Sequence, residues 1–167
     1  LDHAKFMIID NRDMLFGTGN LTKGGLGEGA RPEWNNIDFW VEDTRAEAVK
    51  EGATLFERDW NRQSTSDITF KHLVLTPDNA NSRIGDLIDS AKDRLYVYNQ
   101  TLTDQALIDI LIAAKQRGVD VRVLVGKVET TPERPIQPNQ KAVDQLTAAG
   151  INADFMARNY LHAKGII

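Results

Sequence analysis

Short runs of alternating apolar and polar residues occupy the start of the chain. The segments KFMIID and DMLFG flank a polar turn at residues 11–13, which predicts a hairpin of two strands. Residues 21–33 are rich in glycine and poor in apolar side chains, so they predict a loop. Alternation returns over residues 35–43 and predicts a third strand.

The next segment changes to the period of a helix. Apolar residues recur at spacings of three and four over residues 44–63, and Asp43 or Thr44 stands where an N-cap is needed. We therefore expect a helix of about four turns. A short polar break follows at residues 64–67.

Beyond this break, strand-like and helix-like segments alternate. This order predicts a largely parallel α/β sheet with helices against its faces, which the strand-rich front part would extend. The predicted strands cover residues 69–77, 94–100, 119–126, 151–157 and 160–167, and the predicted helices cover residues 79–93, 104–118 and 140–150.

Composition narrows the class of protein. With 167 residues, 41% hydrophobic and 26% charged, the chain has the profile of a globular protein. Its net charge of -4 argues against a dedicated nucleic-acid binder. The absence of cysteine excludes disulfides and thiolate metal sites. No apolar stretch approaches the roughly 20 residues of a spanning helix, and no targeting segment is visible, so we expect a soluble or membrane-peripheral protein of undetermined compartment.

The chain ends with nearly the same residues with which it begins. The tripeptide HAK occurs at residues 3–5 and again at 162–164. On a strand, residues two apart share a face, so each histidine would lie beside its lysine. An imidazole beside a cation suits an anionic phosphodiester, since the cation neutralises oxygen charge while the imidazole attacks phosphorus or protonates a leaving group. Asp10 lies an odd number of residues beyond His3, so a regular strand would place it on the other face.

Three linked segments carry a family resemblance. HAKFMIID fits the pattern H-x-K-x4-D, GTGN at 17–20 fits G-[ST]-x-N, and NNID at 35–38 fits N-x-[DE]. In this order they resemble the phospholipase D superfamily, and YLHAKGII resembles the start of the second motif of its two-motif members.

The resemblance implies a fold and a division of the chain. The fold would be phospholipase D-like, with a mixed, largely parallel sheet flanked by helices and an incomplete pseudo-twofold repeat. Residues 1–63 would form the C-terminal part of the first half. Residues 64–167 would form the N-terminal part of the second half and end inside its motif. We therefore expect an internal fragment with little activity alone, whose site needs the rest of the parent chain or a second copy.

The resemblance also implies a mechanism. His3 would attack phosphorus to form a phosphohistidine, and His162 would protonate the leaving group. Asp38 would hydrogen-bond the far nitrogen of His3, and Asp10 occupies the acidic position of the motif. No metal or cofactor is required. The side chains expected to hold the phosphate oxygens are those of Lys5, Lys164, Asn20 and Thr18.

Several functions fit these residues. The favoured reaction is hydrolysis of a phospholipid or phosphatidyl transfer, with contact to a membrane surface as a further expectation. A metal-independent nuclease is the alternative enzyme, with nucleic acid the less favoured partner, and a non-catalytic binding or assembly module on a decayed fold is the alternative outside enzymes. His72 is expected to be structural, on or beside the strand at 69–77. Substrate choice is expected to depend on the glycine-rich loop and the prolines at 132–138. The aromatic residues expected to be core or lip residues are Trp34, Phe39, Trp40 and Trp60.

Overall fold

The protein is a mixed α/β structure. The computed structural model describes residues 3–29, 35–127, 130, 132, 137–157 and 160–167. Within them the strands are β1 (Phe6–Ile9), β2 (Asp13–Gly17), β3 (Asn36–Ile37), β4 (Trp40–Asp43), β5 (Arg94–Asn99), β6 (Asp120–Val125), β7 (Asn152–Phe155), β8 (Tyr160–Leu161) and β9 (Gly165–Ile166). The helices are α1 (Ala46–Trp60), α2 (Ala80–Ser90), α3 (Gln105–Gln116) and α4 (Gln140–Ala148).

The chain forms two compact units. Unit 1 contains residues 1–17 and 40–84, and unit 2 contains residues 18–39 and 85–167. These units do not follow the predicted division at residue 63. Compactness does not test an internal repeat, so the assignment of 1–63 and 64–167 to two halves stays a prediction.

Unit 1 is built on the predicted hairpin. Strands β1 and β2 pair antiparallel, and β4 pairs antiparallel with the other edge of β2. Met14 of β2 is buried against Ala48 and Val49 of α1, with Ile8 packed beside them. The apolar positions that predicted the hairpin and the helix therefore meet in one small core.

The helix α1 forms where predicted, but the predicted N-cap is wrong. The N-cap residue is Arg45, which makes no side-chain capping bond. Asp43 instead accepts from the Arg45 backbone N–H at 2.9 Å and pairs with its guanidinium. The hydrogen bond from the Arg45 side chain lowers the pKa of Asp43 to about 2. The Asp43 carboxylate thus binds the N-cap residue through both its backbone and its side chain.

The strand predicted at residues 69–77 does not form. The carboxylate of Glu51 on α1 accepts the backbone N–H of Lys71 at 2.8 Å, of His72 at 2.8 Å and of Leu73 at 3.1 Å. The Glu51 carboxylate therefore satisfies the backbone donors that a sheet neighbour would otherwise bind. The expectation that His72 lies beside a strand is wrong for the same reason, and its side chain is exposed.

Unit 2 contains the predicted largely parallel sheet. Its strand order is β7-β6-β5-β9, in which β7, β6 and β5 run parallel and β9 is antiparallel to β5. Val121, Val123 and Val125 of β6 are buried, as are Leu111 of α3 and Leu146 of α4. Alternate residues of a strand share a face, so these valines form one buried face of the sheet.

Two predicted strands are each divided in the structure. The stretch 35–43 forms β3 and β4, which belong to different sheets, and the stretch 160–167 forms β8 and β9. Strand β3 pairs in parallel with β8, whereas β9 joins the sheet of unit 2. Each division occurs because the two ends of the stretch have different pairing partners.

We expect Glu51→Gln to destabilise the protein in a pH-dependent way. Burial raises the pKa of the Glu51 carboxyl. The hydrogen bonds from the three backbone N–H groups together lower this pKa by more, so it lies below its ordinary value of 4.5. A carboxyl with a lowered folded-state pKa contributes stability above its unfolded pKa, and that stability is lost as the pH falls through the folded pKa. Glutamine keeps one acceptor, so we expect a loss of about 1–3 kcal/mol in the free energy of unfolding at neutral pH.

Urea unfolding of the unsubstituted protein and of Glu51→Gln, between neutral pH and about pH 3, measures the difference in their free energies of unfolding. This difference should shrink as the pH falls below the ordinary glutamate pKa. Glu57→Gln, at an exposed position of the same helix, is the matched control. A difference that stays constant over this pH range would contradict the proposed hydrogen bonding.

Candidate functional site

The pairing of β3 with β8 places a carboxylate beside a histidine. Ile37 lies opposite Leu161 in the parallel ladder, so the next residues, Asp38 and His162, leave the two strands side by side. The backbone carbonyl of Ile37 accepts from His162 N at 3.1 Å and from Ala163 N at 2.7 Å. Backbone hydrogen bonds thus fix the positions of both residues independently of their side-chain contacts.

The two side chains form a hydrogen-bonded dyad. His162 Nδ1 lies 2.9 Å from Asp38 Oδ1, and the side chains are 13% and 3% exposed. Because a carboxylate can only accept, this bond requires the proton on Nδ1. The arrangement resembles other histidine sites in which a buried acid sets the tautomer and ring orientation.

A threonine also hydrogen-bonds the Asp38 carboxylate. The Thr18 hydroxyl donates to Asp38 Oδ1 at 2.8 Å and accepts from the Phe39 backbone N–H at 3.0 Å. The other oxygen, Asp38 Oδ2, is buried and has no hydrogen-bond partner among the described residues. Buried polar atoms are rarely left unpaired, so this oxygen is held at a cost in free energy.

This geometry corrects one sequence-based assignment. Asp38 was expected to hydrogen-bond His3, but its carboxylate contacts His162, because the β3–β8 register brings those two residues together. The Thr18 hydroxyl, which was expected to hold phosphate, donates to Asp38 and so helps to position that carboxylate. Phosphate binding by Thr18 stays a prediction.

The first HAK segment lies in unit 1. His3 and Lys5 precede β1, so they do not lie on a strand as expected. Lys5 Nζ nevertheless lies 2.6 Å from His3 Nδ1 and 2.9 Å from His3 Nε2, and it donates to the His3 carbonyl at 2.7 Å. The structure therefore brings this imidazole and this ammonium together.

The remaining predicted site residues are exposed. Asp10 lies in the hairpin turn with φ of 53°, so it is not on a strand face. Asn20 begins the glycine-rich loop, and its backbone carbonyl accepts from Thr22 N at 2.8 Å. Lys164 lies between β8 and β9, where buried Leu161 and Ala163 alternate with His162 and Lys164. Phosphate binding by Asn20, Lys5 and Lys164 stays a prediction.

The aromatic residues have different environments. Phe39 is half-buried, and its ring meets that of Tyr98 edge-on at 5.3 Å. Trp40 is also half-buried. Trp60 is 74% exposed and stacks on Phe56 at 6.0 Å, so it is not a core residue. Trp34 and much of the proline-rich segment, including residues 133–136, lie outside the described residues.

Sequence reasoning missed the pairing of Asp38 with His162. Each follows a strand of only two residues, and so short a strand shows no periodicity that could reveal its partner. In the described part of the chain, no group of three or more histidine, cysteine or acidic residues is placed to hold a metal ion. Of the helices described, none has the length and apolarity needed to cross a membrane.

The chain resembles a number of solved structures, among them the following three. Polyphosphate kinase from Porphyromonas gingivalis matches with a TM-score of 0.62 and 20% identity over 96% of this chain. Phosphatidylserine synthase from Haemophilus influenzae Rd KW20 matches with a TM-score of 0.62 and 16% identity over 99% of this chain. Nuc, a phospholipase D family member from Salmonella typhimurium, matches with a TM-score of 0.47 and 26% identity over 55% of this chain. The chain spans 26%, 51% and 59% of these three proteins, respectively.

The sequence itself matches a family. None of the curated proteins matches the chain. A family model described as a cardiolipin synthase, PLD-like domain, matches residues 84–167, which is half of the chain and includes the β5–β7 sheet and His162. The fold is likewise that of the phosphatidylserine synthase structure. The chain therefore belongs to the phospholipase D superfamily, as a cardiolipin synthase-type, PLD-like domain.

Proposed function

We propose that the protein cleaves or transfers phosphodiesters, with His162 as the residue that moves protons at the leaving group. The observation that carries this proposal is the chain of hydrogen bonds from Thr18 to Asp38 and from His162 Nδ1 to Asp38. With Nδ1 engaged, Nε2 is the ring nitrogen left for a substrate. The carboxylate stabilises the positive charge that the ring carries when Nε2 is protonated.

The proposed reaction has two steps. A ring nitrogen of His3, the nucleophile implied by the family resemblance, forms a bond to phosphorus as the bond to the leaving oxygen breaks. His162 Nε2 gives its proton to that oxygen. Water or an alcohol then attacks the phosphohistidine while His162 accepts the proton, which releases His3. Lys5 beside His3 would neutralise phosphate charge.

A phospholipid is the proposed substrate. The matching family is named for cardiolipin synthase, and one similar structure is a phosphatidylserine synthase; both names denote enzymes that make a phospholipid. The net charge of -4 also disfavours a polyanionic nucleic acid. A third protein of similar fold is a polyphosphate kinase, so fold alone does not select the substrate.

The test assays the natural full-length protein on phospholipid vesicles and on plasmid DNA, both with chelator present. Release or exchange of the lipid headgroup is the expected result. Cleavage of plasmid alone would replace the lipid proposal by the nuclease alternative. Inactivity on both, with no acid-labile label on His3 from a labelled substrate, would favour the non-catalytic alternative.

Substitution of His162 by asparagine should reveal its role through the leaving group. Loss of a general acid lowers the rate by about 10²–10⁴-fold when an alkoxide must be protonated. A p-nitrophenyl phosphodiester needs no proton, so its first-turnover release of p-nitrophenolate should fall far less. Stopped-flow measurement of both substrates makes the comparison. Equal losses on the two substrates would indicate that His162 acts as the nucleophile.

The space around Asp38 permits a second test. A Cβ atom at Gly19 would lie 3.0 Å from Asp38 Oδ2 and 3.1 Å from both Cβ and Cγ. Gly19→Ala should therefore push the carboxylate from its position and weaken its bond to His162. Headgroup release should fall at least about tenfold, because small misplacements of catalytic groups are costly. Gly85→Ala, where the nearest heavy atom is 3.9 Å away, is the matched control. Unchanged activity in Gly19→Ala would contradict the role given to Asp38.

A further inference from the structure

A fully buried asparagine ties together three segments of unit 2. Asn139 is 0% exposed and precedes α4, but its side chain does not cap that helix. Its Oδ1 accepts from Leu102 N at 2.8 Å, and its Nδ2 donates to the carbonyls of Gln100 at 2.9 Å and Gly126 at 2.7 Å. Because a backbone N–H must meet the oxygen and two carbonyls must meet the nitrogen, the amide has one possible orientation. The loops after β5 and β6 are thus held at fixed positions.

The loop after β6 lies against β8, the strand that immediately precedes the dyad histidine. A Cβ atom at Gly126 would lie 2.7 Å from the Gln100 carbonyl oxygen and 3.2 Å from that of Leu161. Only glycine allows so close an approach. Leu161 immediately precedes His162, so the end of β6 supports the backbone from which the imidazole projects.

A tyrosine joins this scaffold to the imidazole itself. The Gln100 side-chain amide donates to the Tyr160 hydroxyl. The Tyr160 ring lies beside the His162 ring, with centroids 6.3 Å apart and planes inclined by 29°. The imidazole is therefore held by a hydrogen bond to Asp38 and by an aromatic ring whose own hydroxyl is tethered.

We propose that Tyr160 is a positioning residue for His162, held in place by Gln100 and, through the loop, by Asn139. A hydrogen bond at Nδ1 alone leaves the ring free to tilt about that bond, and a flip of the ring costs only that one bond. The neighbouring ring plane restricts that rotation, so the Nδ1–H bond to Asp38 is kept and Nε2 keeps one direction. Only the activity part of this inference rests on the proposed function.

The decisive measurement is nitrogen NMR of the imidazole rings in the full chain. The sequence contains three histidines, so variants at His3 and His72 assign the signals. In the unsubstituted chain we expect His162 in one tautomer with the proton on Nδ1. Tyr160→Leu should produce signals averaged between tautomers, with His3 and His72 unchanged. Tyr160→Phe, which keeps the ring but loses the tether, and Gln100→Leu should give a smaller change in the same direction.

Tyr96→Leu is the matched control. Tyr96 is another half-buried tyrosine of unit 2, and its ring stacks under the Arg122 guanidinium at 5.3 Å. This variant should leave the His162 signals unchanged. A single Nδ1–H tautomer in Tyr160→Leu, or equal averaging in Tyr96→Leu, would overturn the proposal. If Tyr160→Leu does not fold, unchanged signals in both Tyr160→Phe and Gln100→Leu overturn it instead.

Kinetics separate this inference from the proposed function. In the natural full-length protein, Tyr160→Phe should lower kcat by about tenfold with little change in KM. The loss should be smaller than the roughly 10²-fold cost of a 1 Å misplacement of a catalytic group, because the variant keeps the aromatic ring. A kcat unchanged by Tyr160→Phe in an active protein would overturn the positioning role. Averaged tautomers in an enzyme without any phosphodiester turnover would retain the positioning role and reject the proposed function.

Discussion

The parallel pairing of Ile37 with Leu161 is the constraint on which the site depends. Each strand contributes only two residues, yet their register decides which side chains leave the ladder together. A slip of one residue in either strand would turn the next side chain to the opposite face and separate Asp38 from His162. So short a ladder contributes little stability itself. Burial of Leu161 and Ala163, both 0% exposed, and the bonds of two N–H groups to the Ile37 carbonyl hold the register.

The dyad places a carboxylate in an unfavourable environment. The Asp38 side chain is almost completely buried, and burial of a carboxylate is costly unless donors compensate. Thr18 and His162 both act on one oxygen, while the other has no partner among the described residues. Local rules of this kind are most often broken at functional sites, so the incomplete compensation agrees with the role proposed for Asp38. The proposed tether of Tyr160 would likewise orient the His162 imidazole.

Glu51 shows how differently a second carboxylate is used. Its two oxygens accept three backbone N–H groups of one segment and so replace the sheet neighbour that the segment lacks. Asp38 instead accepts from two side chains of distant segments. The donors distinguish the two roles, because backbone donors indicate a structural task, whereas an imidazole donor leaves a reactive nitrogen on its far side.

Local pattern in the sequence was enough to predict the hairpin, the four helices and the largely parallel sheet, because apolar spacing and glycine stops act within single elements. The H-x-K, G-[ST]-x-N and N-x-[DE] segments were also enough to indicate the phospholipase D superfamily. Local pattern did not predict three features of the structure: the hydrogen-bond partner of Asp38, the absence of a strand at 69–77 and the hydrogen bonds of Asn139. Asp38 and His162 are 124 residues apart, and Glu51 lies on a helix about 20 residues before the segment it binds. Only tertiary structure decides such contacts, because a short segment selects its hydrogen-bond partner from whatever the fold brings near it.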